Sequence, residues 1–216
     1  MSTPVTEVDF TFAELLVLLR MLGACGPAME WLEEFGADAS PAHVWEQCPR
    51  ADWLLWFAAM VLVAPKLVVL ATRACVRHAL CMVPPGEARP ARGIELVERW
   101  ASGDQAVGLR ELLAARDGAN AACENAAEYA GVDAAGAAAC VVGCAISAES
   151  GACKEELALD ASNAARNAAS ALGLGGPGAQ RPWVAGVEAV RELISTATVS
   201  EAARAMLAAA DAGGEL

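Results

Sequence analysis

Apolar side chains along this 216-residue chain recur three or four residues apart, the spacing of one face of an α-helix. The first stripe consists of Phe12, Leu15, Leu16, Leu19 and Leu22. It predicts a helix that starts at Thr6 or Asp9, because either side chain can cap it. Ser40 and Pro41 are a typical N-cap and first-turn pair and predict the start of a short helix. The whole pattern predicts an all-α, multi-helix bundle of about ten helices.

Residues 50–81 are apolar almost throughout, and they are compatible with two structures. A window of this length can span a membrane. However, Pro65 and Lys66 lie near its middle, and a lysine at the bilayer centre costs about 2.5 kcal/mol or more. We therefore predict a helical hairpin in the core of the bundle and no membrane span. Asp52 would cap the first helix, residues 53–63, and Pro65 would open the second.

Alanine dominates residues 112–172, where no strand-like alternation occurs. Alanine is a strong helix former and lets helices approach closely, so this region predicts two or three packed helices with breaks near Gly131 and Gly151.

Two stretches rich in proline and glycine, residues 84–93 and 173–182, predict linkers. The first separates a tryptophan-rich half, residues 1–83, from an alanine-rich half, residues 94–216. We expect the two halves to pack together as one domain.

The chain carries a net charge of −12, which argues against a nucleic-acid partner because phosphate binding requires clustered Lys and Arg. It favours a basic partner protein or simply good solubility. The acidic segment at Glu30, Glu33, Glu34 and Asp38 is the predicted contact surface, because Trp31 lies within it. A solvated helix face is the alternative interpretation of the same carboxylates.

Cys75, His78 and Cys81 are three residues apart and are a weak candidate for a metal site, against the alternative of packed thiols and a structural histidine. His43 and Cys48 are a still weaker candidate for a base and its nucleophile. No catalytic motif is present, so we predict neither an enzyme nor a cofactor.

The first residues, MSTPVTEVDFTF, lack the basic region of a signal peptide. We therefore expect a cytoplasmic protein whose eight cysteines remain free thiols.

Three consecutive segments carry a resemblance to a known family: LRMLGACGPAMEWLEEF, SPAHVWEQCPRADWLLWFA and KLVVLATRACVRHAL. Over about residues 15–80 the chain resembles the immunity protein family of bacterial polymorphic-toxin systems. The matching positions include Leu19, Leu22, Ala24, Cys25, Trp31, Leu32, Trp45, Glu46, Cys48, Asp52, Trp53, Trp56 and Lys66.

The resemblance implies an all-α cytoplasmic protein that neutralises a cognate toxin by binding it directly. The residues themselves favour a structural role for Trp45, Trp53 and Trp56, as a cluster that defines the fold. A different class of function stays open, namely a helical structural or adaptor protein that self-associates or docks on another protein through its alanine-rich helices. Neither the resemblance nor the pattern specifies the oligomeric state.

Overall fold

A computed structural model describes residues 10–173 and 184–213. These residues form eleven α-helices and a single 3₁₀ turn, and they contain no strand, so the predicted all-α bundle is confirmed. The helices are α1 (Phe12–Met21), α2 (Gly26–Leu32), α3 (Pro41–Gln47), α4 (Ala51–Met60), α5 (Pro65–Arg77), α6 (Arg89–Ala101), α7 (Leu109–Asn125), α8 (Tyr129–Ser150), α9 (Lys154–Ala171), α10 (Val184–Leu193) and α11 (Thr196–Asp211), and the 3₁₀ turn is Leu80–Met82.

Helices α1 and α3 begin at side-chain capping residues. Thr11 caps α1: its hydroxyl accepts from the backbone N–H of Glu14 at 3.2 Å, and the Glu14 carboxylate accepts from the Thr11 N–H at 2.7 Å. The predicted starts at Thr6 and Asp9 lie outside the described residues. The predicted cap of α3 is confirmed, because the Ser40 hydroxyl accepts from the N–H of His43 at 3.1 Å.

The apolar segment after residue 50 breaks into two helices, as predicted. α4 ends at Met60, and Pro65 lies in the first turn of α5. The prediction that Asp52 caps α4 is wrong: Arg50 is the N-cap residue, and Asp52 lies inside the first turn. The physical reason is that both carboxylate oxygens of Asp52 accept from the Arg50 guanidinium instead of from the backbone.

The alanine-rich region folds into α7, α8 and α9, and α8 packs along both of its neighbours. The predicted break at Gly151 is confirmed; this residue ends α8 in the left-handed conformation, with φ of +68°. The predicted break near Gly131 is also confirmed: α7 ends at Asn125 and α8 begins at Tyr129, while Gly131 itself lies in the first turn of α8. A Cβ there would be 3.2 Å from the Pro84 ring, so the glycine serves close packing.

Among the described helices, α8 is long and apolar enough to cross a membrane, by length and composition alone. In the most apolar stretch of α8, 67% is buried inside the protein. The core helix of a soluble protein has the same length, composition and burial. The absence of a membrane span stays a prediction.

The helices fall into two compact units that do not coincide with the predicted halves. α1, α2, α3 and α11 form the first unit, and α4 to α10 form the second. α4 and α5 belong with the alanine-rich helices, since α4 packs along α9 and α5 packs against α8, α9 and α10. Packing of the two halves as one domain stays a prediction.

The predicted linker at residues 84–93 is partly helical, because α6 begins at Arg89 with Pro90 in its first turn. Gly93 is buried in α6, where a Cβ would lie 3.2 Å from a methyl group of Val142. The second predicted linker lies outside the described residues after Gly173.

Candidate functional site

The acidic segment, defined as Glu30, Glu33, Glu34 and Asp38, lies at the end of α2 and in the loop that follows it, and all four side chains are exposed. Between Arg20 and Arg50 the chain has five carboxylates and neither Lys nor Arg. Within the described part of the chain, none of these four side chains forms an ion pair. The segment is therefore a concentrated patch of negative charge on the first unit.

Aromatic rings hold this segment against the rest of the first unit. The Phe35 ring meets Trp31 edge to face at 4.9 Å and His43 at 5.9 Å, and it lies 6.4 Å from Phe12. Leu32, in the last turn of α2, is buried. These contacts join α1, α2 and α3, so the carboxylates are carried by an anchored turn.

The other positions that carry the resemblance in the first unit differ in exposure. Cys25 is exposed and is the N-cap residue of α2, although its side chain makes no capping bond. Trp31 is partly exposed, Trp45 is buried and Glu46 is exposed. A buried Trp45 agrees with a structural role for that side chain.

A second charged group, which we name the arginine cluster, lies in the second unit. It consists of Arg50 and Arg166, which lie against Asp52, and of Arg191, which binds at Cys48. Arg50 binds both Asp52 oxygens, at 3.0 and 2.7 Å, and the Arg166 Nε lies 3.9 Å from the same carboxylate. Arg191 donates to the backbone carbonyl of Cys48 at 3.0 Å. No sequence pattern indicated this cluster, because its members come from the start of α4 and from α9 and α10.

Cys48 lies beside these charges and is not poised for chemistry. Its thiol is buried and lies 3.5 Å from the carbonyl oxygen of Arg50. Burial raises the pKa of Cys48 to about 12. The charge of Asp52 also raises this pKa, whereas the charges of Arg191 and Arg50 lower it. The thiol is therefore protonated at neutral pH and is a poor nucleophile.

Trp53 and Trp56 on α4 are each only partly buried. The Arg50 guanidinium lies over the Trp53 ring, 4.8 Å from its centroid. Lys66 is exposed in the first turn of α5. The Trp53 ring therefore contacts Arg50 of the arginine cluster and is only partly packed in the core of the second unit.

The candidate metal ligands Cys75, His78 and Cys81 do not converge. The Cys75 thiol is buried and donates to the Gly186 carbonyl at 3.3 Å, while His78 and Cys81 are exposed. Burial also raises the pKa of Cys75 to about 12. No group of three or more His, Cys, Asp or Glu side chains in the described residues is arranged to hold a metal ion.

All eight cysteines are free thiols. Comparison with known proteins adds no neighbour: no protein-family model, curated protein or solved structure matches this chain.

Proposed function

We propose that this chain is an immunity-type protein, which binds a cognate bacterial toxin and neutralises it by direct protein–protein contact. The observation that carries the proposal is the acidic segment, whose four carboxylates are exposed and anchored by the Phe35 contacts. The resemblance over residues 15–80 supplies the class of partner. The activity is stoichiometric binding and involves no reaction of the protein's own groups.

The acidic segment would contact a basic surface of the toxin. Concentrated surface charge accelerates association with an oppositely charged partner and has less effect on the lifetime of the complex. Trp31 lies among the carboxylates and is partly exposed, and tryptophan is one of the residue types that dominate binding energy at interfaces. The charges would thus guide the encounter, and the aromatic side chain would stabilise the bound complex.

The alternative of an adaptor that self-associates through its alanine-rich helices gains less support. Close approach between small residues already occurs inside the second unit, where Ala134, Ala138 and Ala145 of α8 are buried. These surfaces are occupied by α8's own neighbours. Light scattering over a range of protein concentrations tests this alternative, which requires a mass that rises above that of the 22.2 kDa monomer.

The test of the immunity proposal uses the product of the adjacent gene, since immunity genes lie beside their toxins. We expect the two purified proteins to form a stable complex and co-expression to suppress the toxicity of the neighbour. The double variant Glu33→Lys and Glu34→Lys should lower the association rate about tenfold or more at low salt, with little change in melting temperature.

The matched control is the double variant Asp117→Lys and Glu124→Lys on α7. Both positions are exposed, and the two substitutions change the net charge by the same amount as the pair at Glu33 and Glu34. We expect this control to bind at nearly the wild-type rate. A neighbouring product that is not toxic, or that never binds, removes the proposed function. Equal effects of the two double variants would show that net charge, and not the acidic segment, governs association.

A further inference from the structure

A row of basic side chains runs along α5 in the second unit. Lys66, Arg73 and Arg77, which we name the basic row, lie within about 40° of one another around the helix and extend over about 16 Å of its axis. Between Asp52 and Glu87 the sequence contains neither Asp nor Glu. The basic row is therefore a local patch of positive charge in a chain whose net charge is −12.

A single carboxylate, that of Glu98 on α6, pairs with the basic row. Its Oε1 atom accepts a hydrogen bond from Nη1 of Arg73 and lies 3.8 Å from Nη1 of Arg77. Within the described part of the chain, Lys66 forms no ion pair, and the buried Nε of Arg73 has no hydrogen-bond acceptor. One carboxylate cannot neutralise three cations, so the row keeps an excess of positive charge and of hydrogen-bond donors.

The basic row also faces solvent. Lys66 is exposed, and the side chains of Arg77 and Arg73 are 62% and 20% exposed. Leu70 lies on the same face of the helix, between Lys66 and Arg73, and is half-buried. The opposite face of α5 packs against α8, α9 and α10. The accessible face of α5 is thus basic, with an apolar side chain near its centre.

We propose that the basic row binds an acidic α-helix of a partner protein. The three cations stand at fixed heights on a helix that is packed into the second unit, so a partner must present its carboxylates on one face at matching heights. A helix that runs antiparallel to α5, with glutamates at i, i+4 and i+11, meets this requirement. An apolar side chain between its glutamates would contact Leu70. Complementary charges of this kind determine register and orientation more than affinity.

Two other classes of acidic partner fit less well. A nucleic acid or an anionic membrane would bring a large negative surface close to the rest of a chain with net charge −12, which repels it. A helix with a few carboxylates on one face contacts the basic row alone. The contact does not involve the acidic segment, so the inference does not depend on the proposed function.

The test uses the full chain and two synthetic helical peptides at low ionic strength. Both peptides are built from alanine and glutamine, with the same number of glutamates and one leucine. In the matched peptide the glutamates stand at i, i+4 and i+11, and in the isomer they stand at i, i+5 and i+10, on three different faces. Fluorescence anisotropy of a labelled peptide measures binding. We expect the matched peptide to bind saturably and about tenfold more tightly than the isomer.

The double variant Lys66→Glu and Arg77→Glu should weaken binding of the matched peptide about tenfold or more, because two attractive contacts become repulsive. The matched control is Arg20→Glu with Arg110→Glu, which changes the net charge equally at exposed positions of α1 and α7. This control should change binding less than twofold. Lys66→Glu alone leaves the pairing with Glu98 intact and should weaken binding about threefold, with an unchanged melting temperature.

Four results would overturn the inference. Equal binding of the two peptides would show that the row does not recognise a helix face. Equal weakening by the two double variants would show attraction by net charge alone. Binding to vesicles of phosphatidylserine and phosphatidylcholine without binding of the matched peptide would make the row a membrane contact. If neither probe binds, Arg73 and Arg77 serve only to pair with Glu98.

Discussion

The carboxylate of Asp160 on α9 lies directly over the backbone of Gly143 on α8. A Cβ atom added at Gly143 would be 3.0 Å from the carboxyl carbon of Asp160 and only 2.5 Å from Oδ2, and the second distance is shorter than Cβ atoms show in proteins. Glycine at this position therefore allows α8 and α9 to pack closely with a half-buried acid between them.

The first prediction concerns this contact. Gly143→Ala should destabilise the protein by about 1 kcal/mol, because overpacking outweighs the gain of about 1 kcal/mol in helix propensity. In an Asp160→Ala background the overpacking is removed, and the same substitution should stabilise the protein. Urea unfolding of the four variants measures the coupling. If Gly143→Ala has the same effect in both backgrounds, the two residues do not restrict each other.

The second prediction concerns pH. The pKa of Asp160 is raised from 3.8 to about 6, mainly because burial disfavours its charged form; Arg116 lowers this pKa and Glu156 raises it. Since the folded protein holds this proton more tightly than the unfolded chain, the contribution of Asp160 to stability falls as the pH rises from 3.8 to about 6 and stays lower above it.

Asp160→Asn should therefore increase the free energy of unfolding near pH 7.5 and have little effect near pH 4. Urea unfolding at both pH values gives the comparison, with Asp117→Asn at an exposed position of α7 as the control. An equal gain at both pH values would mean that the charge of Asp160 is not the cause.

Local chemistry made several features of the fold predictable from sequence. Ser40 caps α3, Pro65 opens α5 and Gly151 ends α8, and each of these signals acts within a few residues of the chain. Asp52 is an exception among these local signals. Its position favours a helix cap, but its carboxylate accepts hydrogen bonds from Arg50, two residues earlier in the chain.

Contacts between distant helices could not be predicted in this way. Arg191 and Cys48 are 143 residues apart, and helical periodicity identifies the buried face of a helix without naming the helix that covers it. The arginine cluster and the contact between Gly143 and Asp160 both depend on such pairings. The acidic segment could be recognised because its charges are close together in the chain.

The third prediction separates two tryptophans that the sequence grouped together. Trp45 is 5% exposed, so Trp45→Ala should destabilise the protein by about 3–5 kcal/mol, typical of a buried aromatic side chain. Trp53 is only partly buried and carries the Arg50 guanidinium on its ring, so Trp53→Ala should cost about 1–2 kcal/mol. Denaturant unfolding gives both values, and equal costs would contradict this division between core and surface.

The last prediction concerns the turn between α4 and α5, where Leu62 adopts a φ of +64°. This left-handed conformation brings the Cβ of an ordinary residue close to its own backbone, whereas glycine adopts it freely. Leu62 is also 64% exposed, so its side chain gains little from burial. Leu62→Gly should therefore stabilise the protein by about 0.5–1 kcal/mol, after allowing for the greater freedom of glycine in the unfolded chain.

The control for this prediction is Leu62→Ala, which removes the exposed side chain and keeps a Cβ in the same conformation. It should give no such gain, because the strain arises at the Cβ and not in the rest of the side chain. Thermal and urea unfolding of both variants test the difference. If alanine stabilises the protein as much as glycine does, exposure of the leucine side chain accounts for the cost, and the backbone at residue 62 is not strained.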